Sequence, residues 1–150
     1  MLSVLITLHL LAAAVWVGGS TALVFVGVPA VQLLEGEARG RAMKELGLRW
    51  RPLGYGALLV AVMTGVALAA RDWEHRPAFQ IVFWAKVVLV VGLVIASYVH
   101  NFVLGPRLQR EIREGREPLT RPRLVVVGWT SYGLTLAIPI LGVVLQRLVS

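Results

Sequence analysis

Four stretches of this chain are apolar on every helical face, and short charged blocks separate them. They cover about residues 2–28, 53–70, 79–104 and 124–149. A helix of a soluble protein carries polar residues along one side of its length; here the charges fall between the stretches instead. About 20 apolar residues cross roughly 30 Å of hydrocarbon as a helix. Backbone groups in lipid must bond within their own segment, so the spans are helices rather than open strands. The pattern predicts an all-α membrane protein, a single-domain bundle of four transmembrane helices. Prolines mark its edges. Pro29 closes the first span, Pro52 precedes the second, Pro77 and Pro106 bound the third, and Pro139 lies inside the fourth. The N-terminus is apolar from Leu2 onward and lacks the basic opening of a signal peptide, so it is expected to remain as a span. No internal repeat or low-complexity segment stands out.

Composition sharpens this picture. Of 150 residues, 57% are apolar and 15% charged. The net charge of +7 does not imply nucleic acid, because the basic residues flank the spans and form no continuous face. They report orientation instead. The first connector holds Arg39, Arg41, Lys44, Arg49 and Arg51, and the third holds Arg107, Arg110, Arg113, Arg116, Arg121 and Arg123. The second holds Arg71 and Arg76, offset by Asp72 and Glu74. The positive-inside rule then places connectors one and three in the cytoplasm and both termini outside. Trp73 and Trp84 suit the outer interface, and Trp50 and Trp129 the inner one. The first connector suits a short interfacial helix and the third a charged helical extension, with a solvated segment the simpler expectation for both. Cysteine is absent, which excludes disulfides, thiolate metal sites and the C-x-x-C-H haem attachment.

Ionisable groups at membrane depth are costly and therefore candidates for function. His9, Lys86 and His100 qualify. At 1.5 Å per residue, His9 and Lys86 both lie roughly 10 Å below the outer surface, and Met63 falls in the same layer. His75, in the outer turn, is a candidate lid. His100 lies roughly 20 Å deeper than His9, so if both are ligands they serve two sites, or a dimer supplies partners. Helical phase puts His9, Trp16 and Ser20 on one stripe, and Lys86, Leu93, Ser97 and His100 on another. Small residues Ala12, Ala13, Gly18 and Gly19 allow close packing or leave room for a flat cofactor. Each position also has a plain explanation: a hydrogen-bonded His9, a snorkelling Lys86, an interfacial His100, a packing Met63, a solvated His75.

Inward-facing imidazoles in a four-helix bundle suit b-type haem. His9 is the candidate axial ligand, with Lys86, Met63 and Trp16 lining the site, and Arg71 and Arg76 placed to pair with propionates. Copper is the alternative, with His9, His75 and His100 as candidate ligands. No hydrolase triad, phosphate-binding loop or pair of catalytic carboxylates occurs in the spans.

The stretch LHLLAAAVWVGGS, Leu8–Ser20, resembles the opening helix of the copper-resistance protein D family, in which a His precedes small residues and a Trp-x-Gly-Gly. The stretch FWAKVVLVVGLVIASYVHNFVLGPRL, Phe83–Leu108, resembles that family's Lys-bearing helix. The resemblance implies a multi-pass protein of a prokaryotic inner membrane, linked to copper or haem, with a periplasmic copper or electron donor as partner. A related four-span group, the haem-containing membrane protoporphyrinogen oxidases, likewise has a His in span one and a Lys in span three, which map to His9 and Lys86. This chain lacks that group's Asn–Glu–x–Pro segment. The expectations rank haem binding with a redox role first, in a homodimer, then copper uptake or resistance, then an oxidase, then a cofactor-free structural subunit.

Overall fold

The computed structural model describes residues 2–71 and 77–149. Among these residues every regular element is helical. Four helices are long and apolar enough to cross a membrane, Leu2–Gln32, Gly36–Ala70, Phe79–Arg113 and Arg121–Val144. Large apolar side chains stay uncovered along them: Ile81 is 70% exposed and Val88 67%. Water would not tolerate so much apolar surface, and lipid would. That is the build of a multi-pass membrane protein.

The chain divides into two compact units, Met1–Trp73 and Glu74–Ser150. In the first, α1 (Leu2–Ala22) continues through a π-helical segment, Leu23–Gly27, into α2 (Val28–Gln32), and α3 (Gly36–Arg71) packs back along α1. In the second, α4 (Pro77–Tyr98) continues through a π-helical segment, Val99–Leu104, into α5 (Gly105–Arg113), and α6 (Arg121–Val149) packs back along α4.

The helices run well past the edges expected from the prolines. The first connector shrinks to a turn at residues 33–35, and its arginines ride on α3, which passes straight through Pro52. A proline inside a helix costs about 3 kcal/mol when its lost hydrogen bond goes unreplaced. At Pro52 the deprived carbonyl belongs to Leu48, in the arginine-bearing part of the helix where water can bond it. At Pro29 and Pro106 the chain widens into a π turn just upstream, so that Val28 N–H donates to the Leu23 carbonyl and Gly105 N–H to the His100 carbonyl. Wider turns of this kind let a helix absorb a residue that breaks the ordinary ladder.

The third connector is a built hairpin rather than a solvated segment. Gly115, at φ +65°, ends α5. Arg116 N–H donates to the Glu111 carbonyl (2.9 Å) and Gly115 N–H to that of Ile112 (3.2 Å), the paired bonds of a Schellman stop. Glu111 then reaches across to α6: its carboxylate accepts from the Thr120 backbone N–H at 3.0 Å and from the Thr120 hydroxyl, with Arg107 3.7 Å away. A carboxylate at a helix N-terminus bonds otherwise unpartnered amides and complements the helix dipole.

Glu111 lies beyond the apolar stretch, in the charged extension, and its carboxyl is held below the ordinary 4.5, first by the Thr120 hydroxyl and then by the Thr120 amide. A group whose folded value is depressed stabilises above its unfolded value and loses that contribution as pH falls through the folded one. The hairpin is therefore expected to weaken as pH drops below about 4.5. Thermal unfolding of solubilised protein across that range checks this: wild type loses stability with acid, and Glu111→Gln starts lower and responds less.

The two units repeat one another, although no repeat stands out in the sequence. A shift of 77 residues superposes Phe25–Val26, Pro29 and Gln32 on Phe102–Val103, Pro106 and Gln109. The same shift carries Tyr55–Gly56, Leu59 and Gly65–Val66 onto Tyr132–Gly133, Leu136 and Gly142–Val143. It also relates structural features that sequence does not display. The π segments correspond, the buried Trp16 corresponds to the buried Leu93, and the buried Leu58 to the buried Thr135. Leu, Val, Ile and Ala interchange freely on lipid-facing surfaces, which hides such a repeat until its prolines, glycines and packing contacts are seen together.

Candidate functional site

In the first unit, His9 lies against the middle of α3. Its Nδ1 is 2.9 Å from the Ala61 carbonyl oxygen and 3.0 Å from the Thr64 hydroxyl. A carbonyl oxygen only accepts, so Nδ1 carries the proton. The Thr64 hydroxyl donates to the Val60 carbonyl (2.6 Å) and is free to accept from the same imidazole N–H. This tautomer puts the ring's lone pair on Nε2. Gly65 makes the approach possible: a Cβ there would sit 3.1 Å from His9 Cε1. Metal-ligating histidines characteristically donate their other N–H to a backbone carbonyl, which fixes the tautomer and raises basicity.

Deeper in the same seam, the buried Trp16 ring meets Trp50 (centroids 6.3 Å apart) and Tyr55 (6.2 Å). The Trp50 indole fills the hollow over Gly19, where a Cβ would approach it to 2.0 Å, and lies less closely over Gly54, at 2.8 Å. The room left by Gly19 is thus taken by an indole. Trp50 consequently faces the seam. Gly18 has open space around it. Met63 is 64% exposed, so it does not join His9, which meets Ala61, Thr64 and Gly65.

In the second unit, the expected stripe faces α6. Ser97 bonds Ser131 (3.0 Å), and Leu93 is fully buried. Lys86 Nζ lies over Gly142, 3.4 Å from where a Cβ would be. Lys86 and Gly142 stand 77 residues after His9 and Gly65. The two repeats therefore place a nitrogen-bearing side chain at one equivalent position, each over a glycine of the returning helix. His100, inside the π segment, lies over Gly128, 3.0 Å from the site of its absent Cβ, and its buried Nδ1 has no hydrogen-bond partner among the described residues. π segments recur at functional positions.

His75, Arg76 and the Arg71 side chain lie outside the described residues. Among the described residues, no group of three His, Cys, Asp or Glu side chains comes together. Thr64, Gly65 and Gly142 were not singled out in the sequence. Each is an ordinary small residue in an apolar run, and only the 77-residue spacing could have drawn attention to the glycines. Comparison with protein-family models, with curated proteins and with solved structures finds no match.

Proposed function

We propose that this protein binds b-type haem and serves a redox role in a prokaryotic inner membrane. The observation that carries the proposal is the His9 imidazole, whose Nδ1–H bonds to Ala61 and Thr64 leave Nε2 as the basic nitrogen. Neutral imidazole of that tautomer is an axial ligand for haem iron. Bound haem would supply one-electron chemistry. The chain's own part is to hold the imidazole, through Thr64 and Ala61, in one tautomer and one orientation. Lys86 is the equivalent position of the second repeat, and Arg71, in the same unit as His9, is proposed for the charge balance of the cofactor. A second copy of the chain is the proposed partner, and a periplasmic protein the proposed electron donor.

The resemblance to the copper-resistance protein D family supports a metal-linked role, and His9 with Lys86 supports the oxidase as a narrower version. Copper handling remains the competing reading because imidazole also serves copper. Absorption spectroscopy with metal analysis separates them. Protein from haem-replete expression, purified in mild detergent, is expected to show a Soret band and a haem b pyridine haemochrome. Copper without haem would transfer the site to the competing reading, and a blank in both would end both.

A further inference from the structure

We propose that the arginine-lined cleft at the α5 end of the second unit binds the phosphodiester headgroup of an anionic phospholipid. The cleft, of about 460 Å3, changes character along its length. Phe102, Val103 and Pro106 form its apolar wall, and Arg107, Arg110 and Arg116 its basic end. That sequence of surfaces matches a lipid, with acyl chain against the wall and phosphate against the guanidinium groups. Arginine suits the phosphate because its planar fork donates two parallel hydrogen bonds. Positions 103, 107 and 110 follow the three- and four-residue spacing of one helix face.

Two observations go beyond a general excess of positive charge near a membrane. Glu111, the acidic group within the cleft, already spends its carboxylate on Thr120 and Arg107. Arg110 has no carboxylate at ion-pair distance among the described residues, and so is available to an incoming anion. The repeat supplies the second. At the positions of Arg107 and Arg110 the first unit has Ala30 and Leu33, 77 residues earlier. Both repeats end a span beside a proline, and both carry arginines further on, so span orientation does not require these two.

The test is native mass spectrometry of the intact protein released from phosphatidylcholine nanodiscs containing a minority of phosphatidylglycerol. Wild type is expected to retain phosphatidylglycerol in preference to phosphatidylcholine. A surface arginine is worth about fivefold in anionic-lipid binding, so Arg110→Gln lowers the preference about fivefold and Arg107→Gln/Arg110→Gln about twenty-fivefold. Arg110→Gln leaves the Arg107–Glu111 contact intact, which keeps the result readable if the double variant folds poorly. Arg39→Gln/Arg41→Gln, an equal loss of charge in the first unit, is expected to lower the preference much less than Arg107→Gln/Arg110→Gln does. An absent preference in wild type, or an equal loss in the Arg39/Arg41 control, overturns the proposal. So does displacement of the lipid by millimolar glycerol phosphate, which would make the ligand a soluble phosphate.

Discussion

His9→Ala is expected to abolish the Soret absorption while leaving the helices folded. The two halves of that expectation have separate causes. Removing the imidazole deletes the proposed ligand nitrogen, whose neighbours in the α1–α3 seam are Ala61, Thr64 and Gly65. The structural cost is small. A hydrogen bond of this kind contributes about 1 kcal/mol, and the Thr64 hydroxyl keeps its bond to the Val60 carbonyl. Circular dichroism should therefore match wild type as the haem signal disappears. Thr64→Val is the graded companion. It removes one of the two acceptors of the His9 N–H and keeps the Ala61 carbonyl, so haem content should fall in part, with weaker retention on dilution. Metal-site partners of this outer kind typically alter affinity by about 10–100-fold.

Gly19→Val is expected to destabilise the first unit and to do so without touching His9. The Trp50 ring is wedged between Gly19 and Gly54 and rests against Trp16. It therefore cannot swing away as the end of a loose side chain would. Overpacking a filled site costs about 1–3 kcal/mol. Gly18→Val is the control, since nothing lies within 4 Å of the added Cβ and the change leaves the seam intact. A fall in thermal stability for Gly19→Val with none for Gly18→Val checks the packing. Equal behaviour of the two would show that the indole does not occupy that hollow.

The spans were legible in the sequence because lipid exposure enforces apolarity on every face, and no soluble pattern imitates that. The stripes of His9 and Lys86 were legible for a related reason, as a polar group in a span must face another helix. Helix ends were less so. Pro29, Pro52 and Pro106 look like boundaries, yet the π turns and the water-side position of Pro52 let the helices continue. Glu111 looked like one charge in a solvated run, and its bond to Thr120 depends on a turn made by Gly115. Trp50 looked interfacial because tryptophan usually is; that its ring fills a hollow between Gly19 of α1 and Gly54 of its own helix depends on how the two helices pack. The tautomer of His9 could not be read at all, since it depends on a backbone carbonyl 52 residues distant in sequence.

The most direct test of the central claim is chemical rescue at His9, the proposed ligand. His9→Gly leaves a hollow of imidazole size against Gly65, with the Ala61 carbonyl and Thr64 hydroxyl still in place to receive an N–H. Free imidazole added to haem-reconstituted His9→Gly protein is predicted to restore the wild-type Soret position and haem retention. Wild-type haem content and an unshifted spectrum in His9→Gly without imidazole would contradict the account.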